Sequence, residues 1–379
     1  MQIFQKQSDS FLGVDIGAGG FKLVELKNTK GRPQLWTYGL ANQELDIHIE
    51  AQDSAVSAEV PDVLSQGNAA AKKNMDEAIS SLSTDERIVQ YGETLKALIK
   101  QAGVTSRKVT ASLPVSYVFH ALVTLPFVEP KELTHHIEAK IKKMLPQDIE
   151  EMQVVYQKVP NGDEKAKYFT YLVTAAPKQL VAFYTSIFTH AGLELQELET
   201  EAFALTRALV GNDTGVSMIV DIGTFRTNFL IVDKGLPMTQ RSLQIGGKVI
   251  DEMFSHKLGI NKESAKQIKH DLSIRESSAF EEDFYARIVV PMIKEIEYNF
   301  DLFFRQAGNE GKRPEKILLT GGSSLFPIFA KYLEEHFSMR VFLADPWARV
   351  VYQQGLKKTL DNIGPRMGVA VGLAMRNIV

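Results

Sequence analysis

The sequence contains no cysteine, which excludes a disulfide framework and any thiolate metal site and suits a reducing cytoplasm. It has little surplus of either charge: 43 Lys and Arg stand against 46 Asp and Glu, a net of −3 over 379 residues. That balance gives no reason to expect nucleic acid or another polyanion as a partner. The opening run MQIFQKQSDSFLGVDIG lacks the apolar stretch of a signal peptide. No segment approaches the roughly 20 apolar residues of a spanning helix, so membrane association is expected through a partner rather than by insertion. Residues 43–83 also lack aromatics, and their centre, EAQDSAVSAEVPDVLSQGNAAAKKN, is rich in Ala, Ser and Asp. Such a segment buries too little apolar surface to offset its ordering entropy and predicts a mobile excursion rather than a domain.

What is present is an ordinary globular composition, 44% hydrophobic and 23% charged, long enough for two sizeable cores. Periodicity predicts a strand–turn–strand from Phe11, a third strand near residues 34–40, and a helix opening at the capping-box pattern Ser83-Thr84-Asp85-Glu86. Residues 104–199 then read as a compact α/β block. Its strands are expected at 108–113, 117–125, 152–159, 168–176 and 193–198, with helices at 130–144 and 178–191. After a helix over EAFALTRAL comes a second strand–turn–strand. Helices follow at 249–258, 262–271 and 280–307, the last interrupted by Pro291, where a kink is expected. A strand at 316–319, a glycine turn, a helix at 325–337, a strand at 340–343 and a final helix at 364–378 complete the pattern.

The two strand–turn–strand units are an internal repeat. VDIGAGGFKLVEL from Val14 and VDIGTFRTNFLIV from Val220 align without gaps, and a repeat half a chain apart suggests two similar domains facing each other. The plain alternative is two unrelated Asp-x-Gly hairpins. A glycine-rich turn exposes backbone N–H groups able to surround an anion, and two such turns on opposite sides can hold a β- and γ-phosphate. Each is preceded by a carboxylate, Asp15 or Asp221, suited to hydrated magnesium beside a triphosphate. Lys22 can neutralise phosphate charge, and Thr227 is read as offering a turn hydroxyl. A third turn, in ILLTGGSSLF, joins strand to helix, where backbone can lie flat against a nucleoside and α-phosphate.

Together these segments resemble the actin-like ATPase superfamily, with two phosphate loops and an adenosine loop in that order. Within it the sequence is similar to the PilM family of type IV pilus assembly proteins, relatives of the division protein FtsA. The resemblance also rests on ASLPVSYVFHALVTLPFVEPKEL, YLVTAAPKQLVAFYTSIFTHAGLELQELETEAFALTRAL, QIGGKVIDEMFSHKLGINKESAKQIK, ADPW and GVAVGLAMRN. It implies an α/β actin-like fold with two domains around a nucleotide cleft. Residues 1–210 would form the first, with 104–199 inserted in it; residues 211–379 would form the second, the final helix packing back toward the first.

The family's nucleotide residues carry over onto Asp15, Gly17, Ala18, Gly19, Gly20 and Lys22 in the first loop, and Asp221, Gly223, Thr224 and Thr227 in the second. They carry over likewise onto the pair Gly246 and Gly247, and onto Gly321, Gly322 and Ser323 in the adenosine loop. Lys266 and Lys269 fall on the helix that edges ribose and base in relatives, or else on a solvated helix face. Asp15 and Asp221 would face Mg2+ through water. Two departures stand out: Ala18 replaces the usual Ser or Thr, and Phe225 and Arg226 are bulky, Arg226 either contacting phosphate or pointing to solvent. Glu201 falls where the superfamily often positions a catalytic water, though it also suits a helix start. The resemblance implies ATP and Mg2+ as ligands and turnover that is slow or absent. It further implies a cytoplasmic protein peripheral to the inner membrane, docked to the pilus platform through a PilN-like amino-terminal peptide held by the inserted block. A small-molecule kinase and an FtsA-like division protein are the alternatives. The former needs a polar acceptor pocket; the latter usually ends in a linker and amphipathic helix, whereas this sequence stops at Arg376-Asn377-Ile378-Val379.

Overall fold

The structure is a computed structural model that describes residues 10–47, 85–160, 167–274, 282–306, 308–326 and 328–379. Most of the predicted excursion, residues 48–83, lies outside them.

The repeat builds two five-stranded mixed sheets with the same strand order. In the first, β1 (Ser10–Gly17) and β2 (Gly20–Thr29) form an antiparallel hairpin, and β3 (Arg32–Asn42) extends it on one side. On the other side β4 (Lys108–Leu113) and β8 (Glu194–Thr200) add in parallel, giving the order β3-β2-β1-β4-β8. The second sheet repeats this as β11-β10-β9-β12-β13, from β9 (Ser217–Ile222), β10 (Thr227–Asp233), β11 (Leu236–Leu243), β12 (Lys316–Thr320) and β13 (Arg340–Leu343). The central strands are apolar on both faces, as expected where helices cover both sides.

Alternation along β1 shows how the layers stack. Leu12, Val14 and Ile16 point toward α1 (Glu86–Ala102) and α3 (Lys178–His190), meeting Leu95, Phe183 and Ile187 in one core. Gly13 points the other way, against the final helix α9 (Lys357–Met375). A Cβ on Gly13 would lie 2.3 Å from the Ala370 carbonyl oxygen, so only glycine admits the helix this close. In the second sheet Met218, Val220 and Ile222 face α5 (Gly247–Leu258), α7 (Glu282–Phe304) and α8 (Ile328–Phe337). Ile219 and Leu230 face α4 (Glu201–Leu205), which continues into a widened π turn, Thr206–Val210. Helices α4 and α9 therefore lie between the sheets and cross at Gly372, where a Cβ would stand 1.9 Å from the Ala204 carbonyl oxygen. Arg207, in the π turn, donates to both Glu199 carboxylate oxygens (2.6 and 2.8 Å) and to the Gly372 carbonyl oxygen (2.6 Å), bracing the crossing.

Three boundaries differ from expectation. The 104–199 block is divided: β4, α3 and β8 belong to the first sheet and its core, and the separate unit is the three-stranded sheet β5-β7-β6. That unit comprises β5 (Phe119–Pro126), α2 (Pro130–Ile141), β6 (Met152–Lys158) and β7 (Tyr168–Pro177). Its own core is built on Val123, Ile137 and Phe169. Residues 43–47 do not leave the body of the protein. Leu45 and Ile47 are buried in the first core, and the Leu45 N–H donates to the Ala18 carbonyl oxygen at 3.0 Å. Helix α9 starts seven residues early and runs through Gly364 and Pro365, because Gly364 packs against the Trp347 indole. Helix α1 begins at Glu86 with Asp85 as its cap, accepting from the Arg87 N–H; α7 runs continuously through Pro291. The remaining helix, α6, spans Lys262–Ile274.

Candidate functional site

The turn ends of the two hairpins face one cleft of about 450 Å³, within the range of small-ligand sites. The gapless repeat places cross-strand neighbours at equivalent positions. Asp15 is the register partner of Lys22 and forms an ion pair with it; Asp221 is the register partner of Asn228 and accepts a hydrogen bond from its Nδ2 at 3.3 Å. Asn228 Nδ2 also donates to Glu201 Oε2 at 3.2 Å, and the Val115 N–H donates to the same oxygen at 3.0 Å. Ser112 Oγ donates to Asp15 Oδ1 at 3.0 Å. Three carboxylates thus form the floor of the cleft, each supplied by the end of a strand or the first residue of a helix.

Their crowding has an electrostatic consequence. Burial, with Asp15 and Asp221 nearby, raises Glu201 to about 8. Burial and Asp15 raise Asp221 to about 6, against opposing contributions from Lys22 and Asn228. Lys22 is the one lysine in contact with this floor among the described residues, so the site favours an added positive charge.

The glycine turns line the same space. Gly17, Ala18, Gly19, Gly223, Thr224, Gly321 and Gly322 all border the cleft, with Asp15, Lys22, Glu201 and Asp221. The first and second turns touch: a Cβ on Gly19 would lie 2.3 Å from Thr224 Oγ1. Other expected residues stand behind the lining. Thr227 is the first residue of β10, not a turn residue, and its hydroxyl donates to the Ile245 carbonyl oxygen at 2.7 Å; the turn hydroxyl bordering the cleft is that of Thr224. Gly20 lies against β3, where a Cβ would meet the Ala41 carbonyl oxygen. Gly246 and Gly247 brace the second turn, the Gly247 N–H donating to the Gly223 carbonyl oxygen at 2.9 Å. The Ser323 N–H donates to the Ile222 carbonyl oxygen at 3.1 Å. Lys269 pairs with Asp251 and donates to the Gly247 carbonyl oxygen, while Lys266 is exposed and lies 3.9 Å from Glu44.

Several lining residues escaped sequence reasoning: Glu44, Tyr117, Asn228 and Arg366. Asn228 alone left a signal, since it occupies the position of Lys22 in the repeat. Arg226 borders the cleft with its guanidinium 5.9 Å from the Tyr117 ring centre.

Comparison with known proteins decides the family. Residues 68–378 match the family described as type IV pilus assembly protein PilM. The chain belongs to the PilM family. The solved PilM–PilN type IV pilus biogenesis complex matches with a TM-score of 0.76 at 21% identity, covering 97% of this chain and 98% of that one. The fold is accordingly actin-like. The ethanolamine utilization protein EutJ from Carboxydothermus hydrogenoformans matches at 15% identity and a TM-score of 0.49, over 97% of this chain and 89% of that one. The PilM-family match begins after the first hairpin, so Asp15 and Lys22 are tied to the site by geometry.

The residues present fit a magnesium nucleotide. The glycines of the three turns leave room for a phosphate chain, and beneath them lie Asp15, paired with Lys22, and Asp221, which has no cationic side chain bonded to it among the described residues. Among the described residues no three carboxylates or imidazoles are grouped as direct metal ligands. Two aspartates acting through water suit magnesium, which keeps much of its hydration shell and takes phosphate oxygens.

Proposed function

We propose that this PilM-family chain binds Mg-ATP in the cleft between its two repeats and serves type IV pilus assembly by docking a PilN-like cytoplasmic peptide. The observation that carries the nucleotide reading is the acidic floor under paired glycine turns. Asp15 and Asp221 crowd each other with Lys22 as their one lysine neighbour among the described residues, and Glu201 beside them keeps its proton at neutral pH, so an added cation is favoured there, while the N–H-bearing turns favour an anion just above. Asp15 and Asp221 would hold hydrated magnesium, which would supply positive charge to a bound phosphate chain. Lys22 offsets Asp15, Asn228 orients Asp221 and Glu201 together, and Thr224 offers a hydroxyl at the second turn. At neutral pH Glu201 holds its proton in the ligand-free cleft, which makes it a poor base there and accords with slow or absent turnover.

The partner reading rests on shared family and on a fold shared with a PilM bound to PilN. The small sheet of β5, β6 and β7 is the natural place for an extended peptide, because β5 and β6 are its edges. No helix among the described residues is long and apolar enough to cross a membrane. In this reading the protein is cytoplasmic and reaches the inner membrane through its partner.

Thermal melting with and without Mg-ATP tests the site. Ligand at 100 times its dissociation constant adds about 2.7 kcal/mol of stability, and Asp221→Ala should lose the magnesium-dependent part with the fold intact. Absence of any shift in the wild type at millimolar Mg-ATP overturns the nucleotide reading. Titration with the amino-terminal peptide of a PilN-like protein tests the partner; no binding with or without Mg-ATP overturns it.

A further inference from the structure

Two guanidinium groups border the cleft without a carboxylate partner among the described residues: Arg226, which lies against the Tyr117 ring, and Arg366. Lys22 is tied to Asp15, and the lining residue Glu44 is taken by Lys248. The Arg366 guanidinium donates to the Asn42 side-chain oxygen alone, leaving the rest of its five-donor fork without a protein acceptor among the described residues. A half-buried charge held only by a neutral amide is costly, and burial accordingly lowers its affinity for a proton.

The position is built, not incidental. Arg366 follows Pro365 in α9, and the Pro365 carbonyl oxygen accepts from the Gly321 N–H (2.7 Å) and from Thr320 Oγ1 (3.0 Å), fixing the helix to the third turn. The arginine stem lies flat along Gly322: a Cβ there would stand 3.4 Å from Cγ and 3.7 Å from Nε. At the far end Asn42 is the register partner of Gly20, beside the first turn. The side chain therefore spans from the third turn to the first, along the path of a phosphate chain held between them.

We propose that Arg366 grips the phosphate chain of a nucleoside di- or triphosphate, exchanging its Asn42 bond for phosphate oxygens when the ligand enters. This rests on the reading of the cleft as a nucleotide site. A guanidinium suits the role because its planar fork pairs with phosphate in a bidentate way. Asn42 holds the fork in place meanwhile, and a neutral amide is easily displaced by an anion.

Calorimetric titration of the full chain with Mg-ATP and Mg-ADP tests this in Arg366→Gln, Arg366→Lys and Asn42→Ala, each first checked by melting without ligand. Arg366→Gln should weaken both nucleotides about tenfold or more and flatten the salt dependence of binding. Arg366→Lys should recover part of the loss, and keeps the charge and the fold if the glutamine variant does not fold. Asn42→Ala should bind at least as tightly as the wild type. Wild-type affinity and salt dependence in Arg366→Gln would overturn the inference, as would a loss in Asn42→Ala equal to that in Arg366→Gln, which would make the pair a structural brace. A wild type that binds neither nucleotide would overturn the cleft reading itself.

Discussion

Replacing Glu201 with Gln should stabilise the nucleotide-free protein at pH 8.5 and change it little at pH 5. Glu201 is raised from 4.5 to about 8 by burial and by its neighbours Asp15 and Asp221. The folded state therefore retains a proton that the unfolded chain releases. Stability falls as pH rises from about 4.5 to about 8, is constant above that window, and is unaffected by this group well below it. At about 1.4 kcal/mol per pH unit the gap sets an upper bound of about 5 kcal/mol. Part of the side chain faces the cleft, where water screens it, so about half of that, roughly 2–3 kcal/mol, is the reasonable expectation. Glutamine keeps an oxygen for the Val115 N–H and the Asn228 amide, so little is lost in exchange. Calorimetric melts at pH 5, 7 and 8.5 without magnesium or nucleotide should show a gain of about 3 °C at the highest pH. Equal gains at pH 5 and 8.5, or a loss at pH 8.5, would refute the account of the crowded carboxylates.

Three other substitutions probe the frame around the site. Gly372→Ala forces a methyl group onto the Ala204 carbonyl oxygen and should cost about 3 kcal/mol; an unchanged urea midpoint would show that α4 and α9 part easily. Leu45→Ala should cost about 2–4 kcal/mol, because Leu45 is 4% exposed within the first core, and a near-zero effect would return residues 43–47 to the excursion. Thr227→Val should lose about 1 kcal/mol of stability with the Ile245 hydrogen bond while leaving nucleotide affinity unchanged; an affinity loss in titration would restore Thr227 to the ligand.

The sequence displayed the repeat because strand pairing preserves spacing. Asp and Gly at fixed steps from the strand force the same turn twice, so Asp15 and Asp221 were legible as a pair. Strands such as 108–113 and 340–343 were legible from apolar runs bounded by polar residues. Sheet membership was not, because β4 and β8 lie more than eighty residues apart in sequence and carry no mark of pairing with each other. Arg366 was hidden by the Gly-Pro before it, which reads as a helix start, whereas packing against Trp347 carries the helix through. Thr227 was misplaced because a hydroxyl near a glycine turn looks the same in sequence whether it faces a ligand or a backbone carbonyl.

The close fit of α9 on β1 bears on the order in which the protein matures on the ribosome. Gly13 is made roughly 360 residues before the Ala370 backbone that covers it. At about 5–20 residues per second, roughly 20–70 s separate the two. Until then the α9-facing side of the first sheet, including Val24 and Leu26, stays open to water or to a chaperone. The second sheet, whose strands are made later, has its α4 cover already synthesised and waits only for Val369 and Leu373 of α9 to complete that side. Reversing the usual expectation for nascent chains, the amino-terminal half should be the last to become protease-resistant.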